Sequence, residues 1–320
     1  MESTAAGQDG TRTSASASRH AARARVRRHH GIAPFLMGGA RLVVLLVFAA
    51  FFGLPLVWLV LAPSKTDDQL VTWNPFAFGD IRNYGAAWSH LLSLQSGEIV
   101  TWAENSVGYS AATVVLALFI CLFAGYALAT ARFPGRRLLL WVTLFVMIVP
   151  SAAGVLPLFL EMNAVHLLNT PFSVVLPAAF YPFGVYLSYI YFTSGLPTDV
   201  LSAGRIDGCS ETRLFWSVAL PLAKPMAGLI AFFSFVGMWN NYFLPFVMLT
   251  DDRKFTLPVG LQTLITNTPA LNPAAGGSFL PIKRPEAALA GLIVVVPVVI
   301  LFLVAQRFVR ADTLGGAEKG

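Results

Sequence analysis

Long apolar runs alternate with shorter polar stretches along the chain. Six runs stand out, at residues 42–62, 105–130, 138–160, 172–193, 226–249 and 287–306, and between their bounds none contains Asp, Glu, Lys, Arg or His. Each holds about 20 residues, enough at about 1.5 Å per residue to cross a hydrocarbon core about 30 Å thick. Backbone in lipid must satisfy its hydrogen bonds internally, so the runs predict six membrane-spanning helices in one domain over 41–320.

One polar interruption differs from the others: SAGRIDGCSETRLFWSVALPLAKP at 202–225. Thr198 or Asp199, just after Pro197, can cap a short helix, and Asp207-Gly208 ends it because glycine takes the left-handed conformation that stops a helix. Ser210 can cap a second helix, and Glu211 favours its positive end. Leu214, Phe215, Val218 and Leu222 then share one broad face. Pro221 and Pro225 mark the end of the segment and the entry to the next span. The pattern predicts a helix-turn-helix over 198–225 with two open roles: a re-entry helix resting at the lipid interface, or an element docking into a cleft of a soluble partner. A DNA-reading helix is disfavoured, since Arg205 and Arg213 alone offer little phosphate affinity.

Composition agrees with a membrane protein, 56% of the 320 residues being hydrophobic and 12% charged. With the N-terminus inside, sixteen of the 22 Lys and Arg fall in inner segments and six in outer ones, which predicts cytoplasmic N- and C-termini and a cytoplasmic 198–225 segment. The positive net charge therefore reports topology and not a nucleic-acid partner. Residues 1–40, rich in Ala, Ser, Thr and Arg with RARVRRHH at 23–30, predict a disordered basic cytoplasmic tail. Its arginines help fix topology or meet anionic lipid. A cleaved signal peptide fits poorly, because the run at 42–62 is long enough to span.

Spans without ionisable groups disfavour proton-coupled pumps and voltage sensors. Sodium coupling through unwound backbone carbonyls stays open. No Lys follows a Gly, so there is no phosphate-binding loop of the G-x-x-x-x-G-K-[ST] kind, and no H-E-x-x-H occurs. Cys121 and Cys209 read as free thiols, and the five histidines lack metal-ligand spacing. An uptake protein built this way has to borrow its energy at a cytoplasmic surface, which 198–225 supplies.

That segment resembles the EAA loop of permease subunits of binding-protein-dependent ABC importers, whose pattern is E-A-A-x-x-D-G-A, a spacer and a late L-P-x-x-x-P. Asp207, Gly208, Leu220, Pro221 and Pro225 stand at matching places; Ser202-Ala203-Gly204 replaces E-A-A and Cys209 the following Ala. GYALATARFPGRRLLL at 125–140, VPSAAGVLPLFL at 149–160, LLNTP at 167–171, WNNYFLPFVML at 239–249, FTLPVGLQTL at 255–264 and the terminal RFVRADTLGGAEKG resemble the carbohydrate-importing branch, the maltose-type second permease.

The resemblance implies an all-α, six-span ABC importer permease (MetI-like) fold in the plasma membrane, with a cytoplasmic coupling helix-turn-helix. The implied partners are a second permease subunit, two copies of an ABC ATPase that carry ATP and Mg, and an extracytoplasmic sugar-binding protein; this chain itself would hold no cofactor, metal or catalytic site. The resemblance further implies Asp207 and Gly208 as the coupling turn, Leu214, Phe215, Val218 and Leu220 as the docking face, and Gly315, Gly316, Lys319 and Gly320 as further ATPase contacts.

Trp239, Asn240, Asn241, Tyr242 and Phe243 place amides and aromatic faces in the fifth span. They suit sugar hydroxyls and apolar ring faces, or helix packing. Trp73, Phe76, Phe78, Tyr84 and Trp88 mark the outer segment 63–104 as small helices toward a binding protein or as interfacial anchors. The rival reading from another class is a stand-alone sodium-coupled carrier.

Overall fold

A computed structural model describes residues 33–93, 97–196, 198–268, 272 and 282–315. It divides into two units, Met1–Trp58 and Leu59–Gly320. The described part of the first unit belongs to helix α1 (Ala33–Leu61), in which every residue from Leu42 to Phe52 is exposed. Such a helix, apolar on all sides, is built for a lipid solvent.

The second unit is all-helical among its described residues. Two short helices, α2 (Asp67–Thr72) and α3 (Ile81–Ser93), precede α4 (Glu98–Thr130), which at 33 residues is longer than the predicted 105–130. Then come α5 (Arg136–Ile148), α6 (Val155–Ala164), α7 (Phe172–Ala179) and α8 (Pro182–Ile190), which runs on through Tyr191–Gly195. The predicted helix-turn-helix follows as α9 (Thr198–Ile206) and α10 (Glu211–Leu214), the latter continuing through a π-helical turn over Phe215–Ala219 into α11 (Leu220–Leu222). Last are α12 (Lys224–Trp239), α13 (Phe243–Met248), α14 (Leu257–Thr266) and α15 (Arg284–Gly315).

Three predicted spans are not the single straight helices that their apolar runs suggested. The run at 138–160 breaks between α5 and α6 with a bend of 106°. Val149 stands extended before Pro150, the conformation that proline imposes on its predecessor, and the helix stops there. The run at 172–193 breaks at Phe180–Tyr181, where Pro182 opens α8 after the non-helical Tyr181. The run at 226–249 stops at Trp239 and resumes at Phe243. Four helical stretches, Arg41–Ser64, Glu98–Thr130, Phe172–Gly195 and Arg284–Gln306, are each long and apolar enough to cross a membrane. Two bent pairs, Arg136–Ile148 with Ser151–Ala164 and Glu211–Leu222 with Lys224–Trp239, make up to six if each pair counts as one span.

Helix α4 is the mast of the second unit, giving residues to all three buried apolar clusters: Cys121 and Tyr126 to one, Trp102 to the second, Tyr109 to the third. It crosses α8 at very short range. A Cβ on Gly125 would lie 2.2 Å from Ser188 Cβ and 2.8 Å from Tyr189 N, so only glycine lets the two backbones meet there.

Candidate functional site

The helix-turn-helix is terminated as its sequence requires. Gly208 takes φ +79°, its N–H donates to Arg205 O (3.1 Å), and Cys209 N–H donates to Gly204 O (3.0 Å). This pair of bonds closes the last turn of α9 in the Schellman manner. Ser210 then caps α10, its side chain accepting from Arg213 N. A bend of 78° separates the segment Glu211–Leu222 from α12.

Two of the residues expected to face a partner face inward instead. Leu214 and Phe215 are 1% and 2% exposed. Phe215 lies against α4, its ring centroid 4.2 Å from Phe123 and 5.2 Å from Tyr126. Leu214 lies beside Gly204 of α9, while Leu222 of the same apolar face stays exposed; helical spacing revealed the face, but not which part of it the chain's own helices would cover. Val218 and Leu220 are half-buried against the same cluster. What stays exposed is the tip and outer surface: Ile206 at 86%, Trp216 at 50%, with Asp207 and Gly208 at the turn. The replacement of E-A-A also acquires a reason at its third position. A Cβ on Gly204 would lie 2.4 Å from Leu214 Cδ2, the end of a side chain, so glycine here leaves Leu214 its place without a shift. Ala203 is exposed, as is Ser202, while Cys209 is half-buried and Pro221 exposed.

A polar chain runs across the root of this segment. Arg205 holds Glu211 with two bonds, Nε to Oε1 at 2.7 Å and Nη2 to Oε2 at 3.2 Å, and the Tyr126 hydroxyl donates to the same Oε2 at 3.2 Å. The hydrogen bond from Arg205 holds the Glu211 carboxyl below the usual carboxylate range, and the same bond raises the Arg205 guanidinium above its ordinary value. These groups line a cavity of about 580 Å³ together with Phe123, Thr130 and Phe215.

A second cavity, of about 680 Å³, lies where the three helix breaks meet. Ser151 and Ala152 come from the first break, Phe180 and Tyr181 from the second, and Asn240, Asn241 and Tyr242 from the third. Among the described residues its wall carries no Asp, Glu, Lys, Arg or His. Asn240 Nδ2 donates to Val236 O at 3.1 Å, and Asn241 Oδ1 accepts from Leu244 N at 3.3 Å, capping the first turn of α13. Trp239 points elsewhere: it is 3% exposed, stacks on Phe235 and donates from Nε1 to Val294 O of α15 at 2.9 Å. Gly315 ends α15; Gly316, Lys319 and Gly320 lie outside the described residues.

The far end of α4 carries a set of side chains that the sequence reading did not single out. Trp102 Nε1 donates to Asp252 O (2.8 Å), Asn105 Nδ2 to Arg253 O (2.8 Å) and Phe255 O (3.0 Å), and Tyr109 Oη to Lys254 O (3.2 Å), while Leu257 N donates to Ser106 Oγ (2.7 Å). Asn169, inside the LLNTP stretch, completes the grip on the same strap. Its Oδ1 accepts from Thr250 N and Asp251 N, and its carbonyl accepts from Lys254 Nζ at 2.9 Å.

Broken spans that meet at an uncharged cavity, on a helical body carrying an exposed turn, define a multi-pass membrane permease. The family model of the binding-protein-dependent transport system inner membrane component matches residues 118–313. The chain is 34% identical over 275 residues to the arabinooligosaccharides transport system permease protein AraQ of Halalkalibacterium halodurans, covering 85% of this chain and 94% of that one. It is 29% identical to the diacetylchitobiose uptake system permease protein NgcG of Streptomyces coelicolor, covering 85% and 86%. A solved structure of a bacterial ABC transporter involved in the import of the acidic polysaccharide alginate superposes with a TM-score of 0.73 at 26% identity, covering 87% of this chain and 98% of that chain. The chain belongs to the binding-protein-dependent transport system inner membrane component family. It is a permease subunit of an importer, and the stand-alone sodium-coupled carrier finds no support.

Proposed function

We propose that the chain forms half of the translocation pore of an ATP-driven sugar importer, beside a second permease subunit, with the exposed turn at Ile206–Gly208 seated on one subunit of a cytoplasmic ATPase dimer. ATP and Mg belong to that dimer, and an extracytoplasmic binding protein delivers the solute. The observation that carries this reading is the division within the helix-turn-helix: its root is buried in the chain's own core while its tip stands exposed. A segment resting in lipid headgroups would turn its apolar face, Leu214 and Phe215, outward to the bilayer. Here Phe215 packs on α4 and Leu214 lies beside Gly204 of α9, which leaves a rigidly capped tip with exposed Ile206 and Asp207 for a protein socket.

The docking surface is therefore Ile206, Asp207 and Gly208 with Trp216, and Leu214 and Phe215 act as its root. The sixteen inner basic residues support a cytoplasmic placing of this tip and of both termini, and the terminal Gly315, Gly316, Lys319 and Gly320 are further candidates for ATPase contact. For the solute, the cavity at the three helix breaks offers the Asn240 amide and the Tyr181 and Tyr242 rings, a wall suited to a neutral polyhydroxylated molecule. The carbohydrate substrates in the names of the relatives support a saccharide.

The test is uptake and ATPase activity of the reconstituted four-subunit complex with its binding protein in proteoliposomes. The reading requires solute accumulation to depend on ATP and on the ATPase subunits. Accumulation by this chain alone contradicts it.

A further inference from the structure

The root of the helix-turn-helix meets α4 in two chemically different ways. One is the stack of Phe215 on Phe123 and Tyr126, which is non-directional and survives small sliding. The other is the polar chain Tyr126–Glu211–Arg205, which is directional. Glu211 sits in the first turn of α10, Arg205 in the last turn of α9, and Tyr126 near the end of α4, so one carboxylate ties three helices. The Arg205 fork sets the angle between α9 and α10 across the turn. The Tyr126 hydroxyl sets the azimuth of that pair about α4.

We infer that Tyr126 and Glu211 form a positioning latch, through which displacement of the exposed turn is delivered to α4. Without the latch the turn can still dock, but its movement is taken up by slip in the aromatic stack instead of reaching the mast. The Arg205 and Glu211 side chains are 42% and 59% exposed, and ion pairs so exposed hold weakly. The Glu211 carboxylate, held by Arg205 only at this exposed position, can thus rotate off the Tyr126 hydroxyl and return within a transport cycle. This inference rests on the proposed coupling of the turn to an ATPase.

The test uses the whole complex with its binding protein in proteoliposomes and measures solute moved per ATP hydrolysed, along with the yield of assembled complex. Tyr126→Phe deletes the hydroxyl and keeps the ring, and Glu211→Ala deletes the carboxylate at an exposed position. Each should lower the ratio about three- to tenfold, the effect of one directional hydrogen bond, with assembly intact. The double variant should be no worse than the poorer single one, because both remove the same link. Ratios unchanged in both variants, losses that multiply in the double variant, or a fall in complex yield that accounts for the whole loss would each overturn the latch. In those cases wild-type uptake still depends on ATP. Wild-type uptake without ATPase subunits would instead overturn the coupling reading, and the latch with it.

Discussion

The two ends of α4 are held by different chemistry. Toward Trp102, four of its side chains and the neighbouring Asn169 bond to backbone atoms of one strap, residues 250–257. Toward Tyr126, its described side-chain link to the helix-turn-helix is a single hydroxyl on a carboxylate, set among stacked rings. Backbone partners cannot swing away without unwinding their segment, whereas a side-chain carboxylate can rotate off and return. The Trp102 end is a clamp and the Tyr126 end a joint. Under the latch inference, a push at the joint becomes tilt of the mast.

The sharpest way to break this comparison is to jam the joint's tip. Gly208 has φ +79°, which L side chains rarely adopt. Gly208→Trp should reduce uptake and binding-protein-stimulated ATPase activity to background while leaving membrane insertion unchanged; both are read in proteoliposomes against wild type. Weakening the clamp should do the reverse. Asn105→Ala removes two hydrogen bonds to strap carbonyls and should cost about 1–3 kcal/mol of stability, seen as a lower Tm of the detergent-solubilised complex, with the ratio of solute to ATP unchanged. A changed ratio would erase the distinction between the two ends.

A subtler probe is the cavity at the three helix breaks. Asn240→Leu should raise the apparent KM for uptake several-fold if its amide meets solute, whereas Asn241→Leu should chiefly cost about 0.5–2 kcal/mol through loss of the α13 cap. Thermal melting and uptake curves on the two variants separate these roles. The smallest effect expected is from pH. The Glu211 carboxyl lies below its ordinary value, so its contribution to the joint is fully present above the usual carboxylate range and is lost only as pH falls through its lowered value. Uptake per ATP should therefore be flat from neutral pH down through mild internal acidification, and Glu211→Ala should remove what sensitivity remains below that.

How much of this was legible in the sequence follows from the physics of each signal. Apolar run length marked where long apolar helices lie because lipid imposes a length, but length alone carries no sign of the breaks, two of which fall at Pro150 and Pro182 and the third at Asn240–Tyr242. The turn at Asp207-Gly208 and the cap at Ser210 were readable because capping chemistry is local. That Leu214 and Phe215 are buried within the chain's own fold was not readable, because apolar periodicity names a face without naming what covers it. The strings LLNTP, FTLPVGLQTL and GYALATARF stood out only by resemblance. In the fold they hold Asn169, the strap around Thr256 and Leu257, and Gly125 with Tyr126, which are parts of the clamp and the joint. Contacts separated by 80 to 150 residues leave no periodic trace in a single sequence.

The central claim is that the exposed turn is held by an ATPase during turnover. It is tested most directly by placing a photo-crosslinking amino acid at position 206, the most exposed apolar residue of the segment, and irradiating the complex while it transports. The account predicts a covalent adduct with the ATPase subunit, with a yield that changes between nucleotide-free and ATP-bound states. Adducts with lipid alone, in either state, would contradict it.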